Sequence, residues 1–173
     1  MRKILVVVDM QNDFIDGALG TPEALDIVEK VKGKISEYDQ SDIFVTMDTH
    51  TPDYLNTQEG KNLPVEHCIK GTEGWRIRND INEMLTGARI FEKPTFGSVT
   101  LAEHILKIAE EQDLEIEIIG LCTDICVVSN ALLLKAYMPE VSIWIDPECC
   151  AGVTPESHEA ALKTMQMCQI GIA

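Results

Sequence analysis

Five short apolar runs punctuate the chain, at residues 3–8, 42–47, 88–92, 114–120 and 141–145. Each has the length of a strand and carries Val or Ile. Most are near-continuous rather than alternating, the pattern of strands covered on both faces. Helical patterns lie between most of them. Thr21-Pro22-Glu23 joins an N-cap residue to a proline at the first helical position and predicts a helix through residues 24–35. Residues 98–110 carry apolar side chains at 101, 102, 105, 106, 108 and 109, which fits a helical period. A further apolar helix is expected over 126–137. Thr154-Pro155-Glu156 repeats the cap-and-proline signal before a last helix to Met167, and residues 169–172 can add a short strand. Strands alternating with helices predict an α/β fold: a three-layer α/β/α sandwich on a mainly parallel sheet, in one domain spanning residues 1–173.

In such sheets the ligand crevice lies beyond the carboxyl ends of the strands. Asp9, Asp48, Lys93 and Gly120 stand at four of those ends, so their segments should converge on one edge. The stretch 49–74 is longer than an ordinary connection in a compact domain and reads as a functional loop. The length of 173 residues allows a substantial core, and 45% apolar composition is ordinary. A formal charge of −15 argues against nucleic acid or an anionic membrane as partner. The run 4–8, ended by Asp9, is too short for a signal peptide or a membrane span, which leaves a cytoplasmic location as the expectation. The same reasoning predicts reduced thiols for the six cysteines. Cys149 and Cys150, in an expected turn, and Cys168 read as small buried residues, and Trp144 as core.

The segment Gly120-Leu121-Cys122-Thr123-Asp124-Ile125-Cys126-Val127-Val128 carries the strongest chemical signal. It places Cys126 in the first turn of a helix, where free N–H groups and the dipole should lower the thiol pKa. A thiolate attacking a carbonyl needs a proton acceptor, an orienting charge and an oxyanion site. Asp9 can accept the proton if burial raises its pKa, Lys93 can supply the charge, and backbone N–H groups of the 122–126 turn can hold the oxyanion. Each also has a plain structural reading: a strand-end cap, a solvated turn lysine, a buried cysteine. Asp48 and His50, alternate residues on an extended segment, can converge on one ion. With His67 they form a carboxylate and two imidazoles, a donor set suited to zinc, iron or manganese, and Glu59 is a candidate fourth ligand. Without an ion, the two histidines read as surface loop residues.

At these residues the chain resembles the isochorismatase-like cysteine hydrolases, most closely their nicotinamidase/pyrazinamidase branch. The resemblance runs from Leu5-Val6-Val7-Val8-Asp9-Met10-Gln11-Asn12-Asp13-Phe14 through Phe91-Glu92-Lys93-Pro94-Thr95-Phe96 and the 120–127 turn to the final helix. It implies Asp9, Lys93 and Cys126 as a catalytic triad. It also implies a cis Leu121–Cys122 peptide and an oxyanion hole from the backbone N–H groups of Cys122 and Cys126. Asp48, His50 and His67 match the branch's metal ligands, with zinc foremost, and Glu59 matches a ligand found in some members. Where that branch usually carries Trp or Phe before the second metal histidine, this chain has Leu63, so Phe14 and Phe96 remain as aromatic walls beside it. The resemblance further implies a homo-oligomer, dimer or tetramer, acting on a small-molecule amide.

Three functions compete at this stage. The leading one is hydrolysis of a small, nicotinamide-like carboxamide through a thioester, releasing ammonia. The second is cleavage of an N-carbamoyl or ureido C–N bond by the same residues, which the absence of an aromatic at Leu63 favours. The third is a non-catalytic metal- or thiol-based binding protein that uses Cys122 and Cys126 as a redox pair.

Overall fold

The apolar runs pair into one six-stranded sheet in the computed structural model, which describes residues 1–173. In chain order, β1 (Arg2–Val8) leads through α1 (Asn12–Ile15), α2 (Pro22–Asp26) and α3 (Val28–Ile35) to β2 (Ile43–Asp48). α4 (Gln58–Asn62) and α5 (Asn79–Asn82) precede β3 (Arg89–Lys93), and α6 (Val99–Ala109) precedes β4 (Leu114–Leu121). α7 (Val128–Tyr137), β5 (Ser142–Ala151), α8 (Pro155–Met167) and β6 (Gly171–Ile172) complete the chain. The order across the sheet is β3-β2-β1-β4-β5-β6 and every pairing is parallel. The chain therefore winds outward from β1 to β3, then returns to lay β4 on the other side of β1. The crevice of a parallel sheet opens at that reversal, between the carboxyl ends of β1 and β4.

The period-2 alternation of each strand feeds two cores. Ile4, Val6 and Val8 of β1, with Ile116 and Ile118 of β4, pack under Leu101 and Ile105 of α6, Leu134 of α7 and Met165 of α8. Leu5 and Val7, with Val45, Ile119 and Leu121, pack under Ile15 of α1, Val31 and Ile35 of α3 and Ile81 of α5. Helices thus cover both faces, as the uninterrupted apolar strands require.

Several local expectations change. The helix expected through 24–35 is two helices that meet at Ile27, with Thr21 accepting the N–H of Ala24 as the cap. The 49–74 loop is partly ordered by a 3-10 turn at Tyr54–Asn56, by α4, and by a bridge between His50 and Ile69. Cys149 and Cys150 lie buried in β5 rather than in a turn, because that strand continues past Ile145 to Ala151. Cys168 is exposed, since it follows the end of α8 where the helix leaves the core. Trp144 is 41% exposed: β5 lies near the sheet edge and alternates, so its outward side chains escape helix cover.

One glycine is required by the site. Gly120 has φ +116°, and a Cβ there would lie 2.2 Å from the carbonyl oxygen of Val8, its partner across β1–β4. Gly33 in α3, by contrast, has open space around it. Gly120→Ala should lower unfolding stability in urea by about 2–4 kcal/mol, from strain and overpacking together. Gly33→Ala should instead be neutral or stabilising by up to about 1 kcal/mol.

Candidate active site

The first-strand motif builds the site outward from β1. Asp9 follows β1 with φ +49°, a left-handed conformation that aspartate tolerates better than most residues. Its backbone is held by an N–H bond to Thr46 O (3.2 Å), and its Oδ1 accepts the Thr46 hydroxyl at 2.6 Å. Gln11 clamps the neighbouring strand: its Nε2 donates to Asp48 O and Trp75 O, both at 2.8 Å, while its Oε1 accepts Asp48 N–H at 2.8 Å. Asn12 donates to Glu73 O (2.8 Å), and Asp13 Oδ2 accepts the N–H of Cys68 (2.8 Å), next to His67. Each polar residue of this motif thus fastens part of the 49–74 loop or its flank.

Asp9, Lys93 and Cys126 meet at the switch point and are buried, at 0%, 1% and 5% exposure. Lys93 Nζ lies 2.7 Å from Asp9 Oδ2 and 3.5 Å from Asp48 Oδ1, and donates to Cys126 Sγ (3.3 Å) and Thr95 O (3.1 Å). Asp9 Oδ2 accepts no hydrogen bond from any other group, so it keeps acceptor capacity beside the ammonium. Burial raises the Asp9 carboxyl, and the Lys93 charge offsets only part of that. Burial also disfavours the Lys93 ammonium, but the neighbouring charges of Asp9 and Asp48 outweigh it and hold the pKa above its ordinary value.

Cys126 departs from its expected setting. Residues Thr123–Val127 form a π-helical turn ahead of α7, not the first turn of an α-helix, and the Cys122 carbonyl accepts both Ile125 N–H (3.1 Å) and Val127 N–H (3.0 Å). Burial, reinforced by the charge of Asp9, pushes the thiol well up, and Lys93 counters only in part. The expected lowering of the thiol is therefore reversed in direction. The Leu121–Cys122 peptide is cis. The Cys122 thiol is pushed up to about 12 by burial and by Asp124.

Asn130, which the sequence pattern did not single out, holds the nucleophile turn to the lysine segment. Buried in α7, it donates from Nδ2 to Cys126 O (2.8 Å) and Phe96 O (3.1 Å), and accepts Ser98 N–H at Oδ1 (2.9 Å). Its spacing four residues after Cys126 was the available signal, since i and i+4 share a helix face.

Beside the acid–lysine pair, Asp48, His50 and His67 bring ligand atoms within 4.8 Å of one another, all three side chains buried. Asp48 Oδ2 lies 3.0 Å from His50 Nε2 and 3.5 Å from His67 Nε2. Glu59 Oε1, from α4, is 3.7 Å from both imidazoles. Burial raises the Asp48 carboxyl, but hydrogen bonds from both histidines and the Lys93 charge overcome this and hold it well below the carboxylate range. His67 Nδ1 lies 2.8 Å from Val65 O, which accepts its N–H and turns Nε2 towards Asp48 and Glu59. A buried carboxylate and two imidazoles converging in this way, with a second carboxylate adjacent, fit a divalent ion.

Phe14, Leu63 and Phe96 all line a small cavity of 50 Å³ over Cys126, with Leu19 and Ile125 completing its apolar wall. Phe14 also stacks at a tilt on His67, with centroids 5.6 Å apart.

The isochorismatase domain family matches residues 3–172, and the chain belongs to this hydrolase family. PncA of Bacillus subtilis (strain 168), described as an uncharacterized isochorismatase family protein, is 29% identical over 174 residues, covering 94% of this chain and 93% of the relative. The crystal structure of B. subtilis PncA, there called a nicotinamidase/pyrazinamidase, matches with a TM-score of 0.81 at 28% identity, covering 100% of both chains. A pyrazinamidase of Pyrococcus horikoshii, solved in complex with zinc, matches with a TM-score of 0.83 at 27% identity, covering 100% of this chain and 99% of the other. N-carbamoylsarcosine amidase of Thermoplasma acidophilum matches with a TM-score of 0.75 at 26% identity, covering 99% and 95%.

Two predictions follow from this geometry. Asn130→Leu removes the side-chain bonds to the Cys126 and Phe96 carbonyls and takes the partner from the buried Ser98 N–H. The expected loss is at least about 2 kcal/mol in chemical denaturation, given roughly 1–3 kcal/mol for each buried orphan. Zinc added at 100-fold over its dissociation constant should stabilise the protein by about 2.7 kcal/mol, read as a higher Tm. His67→Ala should abolish that shift.

Proposed function

We propose that this isochorismatase-family protein is a cysteine amidohydrolase that releases ammonia from a small, nicotinamide-like carboxamide. The observation that carries the reading is the buried Asp9–Lys93–Cys126 cluster at the floor of an apolar cavity. A binding module has no use for a carboxylate, an ammonium and a thiol sealed from water around one reaction centre. The Lys93 ammonium donates to Cys126 Sγ at 3.3 Å, which singles out one thiol rather than a redox pair.

In this reading the thiol of Cys126 gives its proton to Asp9 Oδ2 as sulfur attacks the amide carbon. Burial helps here, since a carboxylate with a raised pKa is a better base near neutrality. Lys93 stays protonated and compensates the single negative charge as it moves between carboxylate and sulfur. The backbone N–H groups of Cys122 and Cys126 act as donors to the oxyanion. The C–N bond then breaks, Asp9 returns the proton to the departing nitrogen, and ammonia leaves a thioester on Cys126. Asp9 next takes a proton from water, whose oxygen attacks the thioester. The acid departs, and the sulfur recovers the proton from Asp9.

Asp48, His50 and His67, with Glu59 as a further candidate, would hold a divalent ion, with zinc as the first choice. Such an ion would supply an electrophilic site that orients a ring nitrogen or a water. Phe14, Leu63 and Phe96 would enclose the planar acyl group. A second reading keeps the same residues but cleaves an N-carbamoyl or ureido bond. The likeness to an N-carbamoylsarcosine amidase and the aliphatic Leu63 support it.

The deciding experiment measures ammonia release from nicotinamide, pyrazinamide and ureido acids, with and without zinc, iron or manganese. Cys126→Ala should reduce turnover at least about 1,000-fold with an unchanged circular dichroism spectrum. Full activity in that variant would refute the reading. Ammonia from ureido acids alone would select the second.

A further inference from the structure

The cavity over Cys126 adjoins a much larger one of 690 Å³. Glu59, Leu63, Phe96 and Ile125 line both and form a collar between them. Leu63 and Phe96 are 38% and 42% exposed, a high value for large apolar side chains at a cavity mouth. At 50 Å³ the inner space holds about four water-sized groups, enough for a carboxamide and the atoms next to it. Anything attached beyond must occupy the outer cavity.

The chemistry of that outer wall is one-sided. Thr57, Gln58, Asn62 and Thr95 offer neutral hydrogen-bonding groups, no lysine or arginine lines either cavity, and the imidazoles of His50 and His67 are turned to the carboxylates of Asp48 and Glu59. Lys61 is adjacent to Asn62 in sequence but lies outside the lining. The buried ammonium of Lys93 is already paired with Asp9 and Asp48. Glu59 is the carboxylate at the collar. A divalent ion beside it would not reverse the balance, because its charge and that of Lys93 together would meet the three carboxylates of Asp9, Asp48 and Glu59. A carboxylate tail would therefore enter without the cation or bidentate partner that normally compensates its desolvation.

We infer that the outer cavity is a tail subsite that accepts uncharged, hydrogen-bonding substituents and excludes carboxylates. The inference rests on the amidohydrolase reading. Within that reading it favours neutral amides and disfavours N-carbamoyl amino acids, whose carboxylates would face Glu59.

Two measurements separate this inference from the reading on which it rests. In the first, Cys126 is alkylated with bromoacetyl-β-alaninamide or bromoacetyl-β-alanine, whose tails differ only in charge. Labelling is followed at the Cys126 peptide by mass spectrometry, and each rate is divided by that of free glutathione. The neutral reagent should be favoured about tenfold or more. Gln58→Lys or Asn62→Lys should remove most of that preference by adding a cation to the wall. Equal normalised rates, or a preference untouched by both variants, would overturn the subsite. In the second, ammonia release is compared for succinamide and succinamate, with the same preference for the neutral amide expected. Turnover without charge preference would sink the subsite and leave the hydrolase standing. Charge-selective alkylation without hydrolysis of any amide tested would do the reverse.

Discussion

The ion pair between Asp9 and Lys93 organises this molecule. Both side chains are almost fully removed from water, and isolated charges in that position would be untenable. The 2.7 Å contact makes them tolerable only because neighbouring groups complete the shell: the Thr46 hydroxyl on Asp9, and Thr95 O, Asp48 and the Cys126 sulfur on Lys93. Breaking such a pair by removing one partner commonly costs about 3–5 kcal/mol, whereas replacing both by apolar groups is often neutral. Stability alone therefore does not explain its retention. A charged pair held against the Cys126 thiol makes sense as stored chemistry, since it provides a base whose affinity for protons is raised by burial.

The pair also dictates the architecture around it. Its members come from β1 and β3, with β2 running between them, so the register of three parallel strands sets their approach. Asp48 pairs directly with Lys93 across β2–β3, which brings the candidate metal ligands against the candidate catalytic lysine. Gln11 then locks the backbone of Asp48, and Asp13 supports the segment that follows His67. Acid–base cluster and metal-ligand cluster are consequently one connected polar network, walled by Phe14, Leu63 and Phe96. On the far side, Asn130 ties the π-helical turn of Cys126 to the segment carrying Phe96.

Much of this was legible in the chain itself. Near-continuous apolar strands, Pro-initiated helices and the strand-end positions of Asp9, Asp48 and Lys93 are local signals, and a parallel sheet turns them into a shared edge. Alternation placed Asp48 and His50 on one side without knowledge of the fold. Helix caps at Thr21 and Thr154 also fell where the residue types put them. Trp144 and Cys168 were misread because exposure depends on which helices cover an edge strand or a helix end, and no local pattern carries that.

Hydrophobic periodicity and residue identity thus determined the layers, the strand ends and the candidate chemistry of this protein. Tertiary structure decided the electrostatic setting of that chemistry. A helix start predicts a lowered thiol, yet the surrounding sheet and helices bury Cys126 so thoroughly that desolvation and the Asp9 charge reverse the shift. It also decided which loop residues line the route to sulfur, since Gln58 and Asn62 reach the outer cavity while Lys61 between them does not. Both outcomes depend on distances between segments far apart in the chain, and only the packed sheet sets those distances.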